Sequence, residues 1–131
     1  MVKLSSRDVE AMGTLHVRIK NHILYCEYAR TESEREKGLM HRTFLPPYKG
    51  MLFDTYGRYR PVFYMKNVTL PLEAIFVSNQ NKIIDIIPMR PLDASTIYTT
   101  HKNIPVKHVI EVNQHYCSQR GIKVDDIVYM D

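Results

Sequence analysis

Phe63-Tyr64-Met65-Lys66-Asn67 and Leu70-Pro71-Leu72-Glu73-Ala74-Ile75-Phe76 put a lysine, an asparagine and a glutamate between two apolar runs. An ammonium, an amide and a carboxylate so close together suit recognition of a small polar ligand or a peptide. Lys66 either pairs with Glu73 or offers a cation at the mouth of a pocket. Asn67 can bond backbone groups in the turn. Met40, Met51 and Met65 stand at strand or loop edges, where flexible thioethers suit an adaptable apolar pocket and also suit core filling. Asp54 and Glu73 form the one carboxylate combination placed for acid–base work. The plainer expectation is that Glu73 binds Lys66 or a nearby backbone N–H.

Other reactive arrangements are missing from the sequence. Five glycines are scattered, without a phosphate loop, and there is no HExxH or GxSxG. The six histidines are far apart, and Cys26 and Cys117 fall inside regular elements. No catalytic residue, metal ligand or cofactor is therefore expected. Both cysteines are expected to be buried, reduced and unpaired.

These side chains must be positioned by short strands. Thr14–Ile19 alternates Leu15, Val17 and Ile19 and reads as a half-buried strand. A tight turn at Asn21-His22 returns it as Ile23–Ala29. Thr31 and Glu34 have the spacing of a capping box, and Gly38 sits where a left-handed cap belongs, so a helix of about two turns is expected between them. Met51–Asp54, Val62–Met65, Leu72–Ser78, Ile83–Ile87, Val106–Val112 and a final strand through Met130 follow. Pro88 and Pro91 are expected to end their strand, and Asn113 to cap a second short helix that stops at Gly121. Residues 1–13 read as an N-terminal arm and 14–131 as a single domain. The fold class is all-β (mainly β): a compact jelly-roll-like sandwich or partly closed barrel with two short helices and no βαβ rhythm. In this frame Lys66 and Asn67 end one strand and Glu73 begins the next, so all three are expected on one rim.

The chain has 131 residues, enough for one core without a staple. Its net charge of +4 is spread without a basic run, so nucleic acid is not an expected partner. The first residues lack the apolar core of a secretory signal, and no run is long enough to span a membrane. The expected location is the cytoplasm, with incorporation in a virion compatible.

Ala29–Arg42, Gly50–Phe53, Phe63–Asn67 followed by Leu70–Phe76, and Val109–Asn113 with Gly121–Asp126 resemble, in order and spacing, the family catalogued as domain of unknown function 192. The resemblance spans roughly residues 15–130. It implies a compact, mainly β domain, jelly-roll-like, with no established activity, found in bacteria, archaea and some phages. The shared residues it carries onto this chain are Thr31, Arg35, Gly38, Leu39, Met40, Arg42, Gly50, Met51, Phe53, Met65, Lys66, Asn67, Pro71, Leu72 and Glu111. Tyr64 stands where the family commonly has tryptophan, and Glu73 where it has aspartate.

Three functions fit. The first is a non-enzymatic binding module with a polar rim around Lys66, Asn67 and Glu73, joined by Met65, Met40, Arg42 and Met51, for a protein partner or a small polar ligand. The second is an accessory subunit, a decoration or adaptor protein, of a larger assembly, a viral one included. The third is an enzyme using Glu73 or Asp54 as base.

Overall fold

A computed structural model describes residues 14–130; the arm expected at 1–13 lies outside them. β1 (Thr14–Ile19) and β2 (His22–Ala29) form an antiparallel hairpin with Ile19 opposite His22. The turn residues are Lys20 and Asn21, one position earlier than expected, and Lys20 takes a φ of 54°.

α1 (Glu32–Lys37) has the expected capping box, while Gly38 ends it at positive φ but with ψ −128°, outside the left-handed cap expected there. The Glu34 N–H donates to Thr31 Oγ1 at 3.1 Å, and the Thr31 N–H donates to the Glu34 carboxylate at 2.9 Å. That second bond is the main cause holding the Glu34 carboxyl below its usual range. Gly38 ends the helix at φ 47°, its N–H donating to the Glu34 carbonyl. No residue of α1 is buried, so its caps matter more than its packing. Thr31→Ala should lower stability by about 1 kcal/mol in urea unfolding, since it removes the acceptor for an otherwise orphan N–H. An unchanged midpoint would show that the cap contributes nothing.

β3 (Lys49–Tyr59) is longer than the four-residue strand expected, and absorbs the Thr55–Tyr59 segment through a bulge between Asp54 and Arg58. It lies parallel to β2, with Tyr25 opposite Lys49 and Ala29 opposite Phe53. The crossover that a parallel pair requires holds α1, so one βαβ unit exists where none was expected. Val62–Met65 is not a strand. It makes a single bridge, Phe63 with Tyr98, and runs as loop.

β4 (Leu72–Ser78), β5 (Ile83–Met89) and β6 (Pro105–Asn113) are antiparallel neighbours. β5 continues through Pro88 because it is an edge strand, where a missing donor faces outward. α2 (Tyr116–Arg120) starts after His115, not at Asn113. The Asn113 amide instead donates to the Leu45 carbonyl at 2.7 Å. β7 (Val128–Met130) closes the order β5-β4-β6-β3-β2-β1-β7.

The two edge strands meet. Lys82 bridges Ile127, the Ile83 N–H donates to the Asp126 carbonyl at 2.9 Å, and the Val128 N–H to the Asn81 carbonyl at 2.8 Å. The seven strands thus make one curled half-barrel, mainly β with two short helices.

Side-chain alternation divides the core between the two faces of this sheet. One face carries Val17, Leu24, Leu52, Ile75, Ile110 and Tyr116. The other carries Phe53, Phe76, Val109, Leu39, Met65 and Val68, so the loops after β2 and β3 lie over it. β4 is buried at every residue because both of its faces are covered. Gly50 permits close strand packing here: a Cβ would stand 2.8 Å from the Glu111 carbonyl oxygen.

Candidate functional site

The loop-covered face is not completely filled. A cleft of about 560 Å³ opens between α1, the second half of β3 and the 60–68 loop. That volume falls in the range of small-molecule sites. Its apolar wall is Leu39, Met40, Phe53, Phe63 and Val68, all five part of the core or packed against it. Phe53 and Phe63 meet edge to face, ring centres 5.3 Å apart. Phe63 is fixed by paired backbone bonds to Tyr98, at 2.9 and 2.8 Å. The Tyr98 hydroxyl in turn donates to Asp93 at 2.7 Å.

Glu111 lines this cleft from β6 and is only 4% exposed. In the sheet it lies between Met51 of β3 and Ala74 of β4, neither of which can donate a hydrogen bond. Its carboxyl has no hydrogen-bond or ion-pair partner among the described residues. Burial pushes it up to about 8 from the ordinary 4.5. At neutral pH it is therefore held in its protonated form.

The residues expected on one rim are separated. Lys66 and Asn67 are exposed in a turn, Asn67 at a φ of 60°, a conformation asparagine tolerates better than most residues. The Asn67 carbonyl accepts the His41 N–H at 2.9 Å and ties this turn to the loop after α1. Glu73 alternates with Leu72 and Ala74, so it points through the opposite face of the sheet. There it is 6% exposed and accepts the His115 and Cys117 N–H groups, both at 2.9 Å. Strand periodicity alone separates it from Lys66, and the expected three-residue rim is corrected on that ground. The plainer expectation, a bond to backbone N–H groups, describes what Glu73 does.

The methionines also divide. Met65 is 1% exposed in the core. Met40 lines the cleft. Met51 and Arg42 border a second, smaller hollow of about 80 Å³, together with Lys37 and Gly38. Arg42 makes a two-pronged ion pair with Glu27, one bond being 2.7 Å. Asp54 borders the main cleft but is engaged, accepting the Tyr28 hydroxyl at 2.8 Å and the Tyr56 N–H at 3.2 Å. His108, opposite Asp54, has its Nδ1 buried without a partner, and burial is the main cause lowering its pKa. Among the described residues no group of three His, Cys, Asp or Glu side chains is placed to hold a metal ion. No described helix is long and apolar enough to cross a membrane.

Reading the residues for chemistry missed Glu111. The sequence shows only an acidic residue among apolar neighbours, Val109-Ile110-Glu111-Val112, on the side that alternation assigns to solvent.

Cys26 and Cys117 are free and buried. Burial is the first cause raising both thiols, Cys26 to about 12 and Cys117 higher still. A thiol held protonated and out of contact with solvent is a poor nucleophile. The native protein should leave a disulfide reagent unreacted at pH 8 and react with it at both thiols in urea. Rapid labelling of the native protein would place a thiol at the surface.

The family model DUF192, described as an uncharacterised ACR, matches residues 15–130. A protein of unknown function from Novosphingobium aromaticivorans is 32% identical, with a TM-score of 0.79 over 88% of this chain and 83% of that one. A protein of Sinorhizobium meliloti, described as a candidate transcription regulator, is 30% identical, with a TM-score of 0.77 over 89% of this chain and 92% of that one. No curated protein matches the chain.

Proposed function

We propose, for a chain that belongs to the DUF192 family, a non-enzymatic binding role in which a small ligand seats in the cleft above Glu111. The observation that carries this reading is a nearly buried carboxyl, without a partner among the described residues, lining an open cleft of ligand size. The two carboxylates considered for catalysis are occupied. Glu73 holds two backbone N–H groups, and Asp54 holds Tyr28 and Tyr56. A role in transcription, which the description of the Sinorhizobium meliloti protein suggests for that protein, meets no groove-filling helix among the described residues. α1 and α2 have six and five residues.

A fragment collection followed by amide chemical shifts tests the proposal. Shifts should gather at Leu39, Phe53, Phe63 and Glu111. Hits confined to Lys66 and Asn67 would return the site to that turn, and no hit anywhere would defeat the binding role.

One observation favours an accessory subunit as a second reading. Val62, Tyr64 and Ile97 are 61%, 46% and 67% exposed around the Phe63–Tyr98 bridge, an apolar surface beside the cleft mouth. Native mass spectrometry of the protein taken from its source should then retain a partner that Val62→Asp releases. Retention by the variant would remove this surface from the interface.

A further inference from the structure

We infer that the ligand of this cleft is a small organic cation, an amine or amidine on an apolar or aromatic body, whose nitrogen docks on the Glu111 carboxylate. The inference rests on the binding role proposed above and adds the ligand's chemistry.

Hydrogen-bond inventory rules out a pure acceptor, and the charge of the ionised carboxylate favours a cation over a neutral donor–acceptor such as an amide. A carboxyl group offers one donor when protonated and about four acceptor sites when ionised. Met51 and Ala74, its neighbours across the sheet, supply no donor to either oxygen. A ligand that only accepts, such as a carboxylate or ketone, satisfies the single O–H and leaves the second oxygen unpaired. A cationic nitrogen carries two or three N–H groups and satisfies both oxygens with charge-assisted bonds. The walls agree with this choice. Phe53 and Phe63 present aromatic surface inside the cleft, and Tyr59 and Tyr64 do so at its mouth. Such surface accommodates both a cation and its apolar body.

The charged groups around the site do not make the selection themselves. α1 contributes Glu32, Arg35, Glu36 and Lys37, β3 contributes Asp54, Arg58 and the phenol of Tyr59, and the following loop contributes Arg60 and the phenol of Tyr64. Four bases thus stand against three acids at the walls and mouth. Arg60 is turned to the Thr100 carbonyl, and Arg35 to the Arg30 carbonyl and the Tyr56 ring. Arg58 has no partner among the described residues. A ligand that also carries an anionic end would meet it there.

Proton linkage gives the test its sign. The empty site holds the Glu111 proton up to about pH 8. A cation needs the ionised form, so binding below that pH expels a proton. Isothermal titration at pH 7 with benzylamine and benzamidine, in buffers of different ionisation enthalpy, should show about one proton released per site. Their affinity should fall about tenfold for each pH unit below 8. Glu111→Gln should bind both at least about tenfold more weakly at pH 8, without that pH dependence. Benzamide and benzoate should bind more weakly than the cations. If benzoate or benzamide binds in the cleft and the cations do not, the ligand class is wrong and the binding role stands. If cations bind with no proton release, Glu111 is not their partner, which also overturns the inference. If no probe of any charge binds, this inference and the binding role fail together.

Discussion

Glu111→Gln should resist urea better than the wild-type protein at pH 8 and equally well at pH 4. Below pH 4.5 the Glu111 carboxyl is protonated in both the folded and the unfolded chain, and contributes no difference. Between 4.5 and about 8 the unfolded chain ionises while the folded one keeps its proton. Here the folded state binds more protons, so stability falls as pH rises, by about 1.4 kcal/mol per unit. Above the folded pKa the loss is complete. The total is roughly 3–5 kcal/mol, a large part of an ordinary domain's stability. The glutamine variant has the same shape and no proton to lose, so subtracting its curve from the wild-type curve isolates this one group. A difference that stays flat from pH 4 to 9 would mean that Glu111 is ionised and paired in the folded protein.

Glu73→Leu should destabilise the protein by about 3–5 kcal/mol at pH 7. α2 begins at His115, which has a φ of 74° and makes no side-chain cap of its own. The missing cap comes from β4. Glu73 accepts the His115 and Cys117 N–H groups, one oxygen to each. Hydrogen bonds to a charged group contribute about 1.5–3 kcal/mol each, and leucine would leave the Cys117 N–H buried without an acceptor and the part-buried His115 N–H without its carboxylate. Glu73→Gln keeps one oxygen and should lose about half as much. Amide exchange at Cys117 should quicken more than exchange in β1, because the damage begins at the end of α2. A leucine variant within about 1 kcal/mol of wild type would refute this capping role.

These two glutamates show what a local pattern does and does not carry. The Thr31–Glu34 box and Gly38 were legible because each partner is within four residues of the other. β1 and β6 were legible from their apolar alternation and β2 and β4 as short apolar runs, and their observed bounds lie within about two residues of those expected. Val62–Met65 was misread because Phe63 and Met65 pack against the core from a loop, and burial alone does not make a strand. Asn113 was misplaced as a cap because its true partner, the Leu45 carbonyl, lies 68 residues earlier. The placement of Glu73 on a rim with Lys66 failed for the same reason. Its own turn suggested Lys66, but its acceptors serve a helix 42 residues later.

Glu111 needed the opposite kind of information. Alternation in β6 puts it with Lys107 and Val109, away from Val106, His108, Ile110 and Val112, and a single strand reads that side as solvent-facing. It is buried because β6 sits between β3 and β4 and the loops after β2 and β3 lie over that face. Two-sided burial is a property of the sheet's order, which no stretch of seven residues states.

Lys37 and Gly38 border both the large cleft and the small hollow beside Arg42 and Met51. The end of α1 is thus a party wall between two rooms. A shift of that wall would change the shape of both spaces at once, and Arg42 with its partner Glu27 borders the smaller one. Two turns of helix, held by a threonine at one end and a glycine at the other, are the partition.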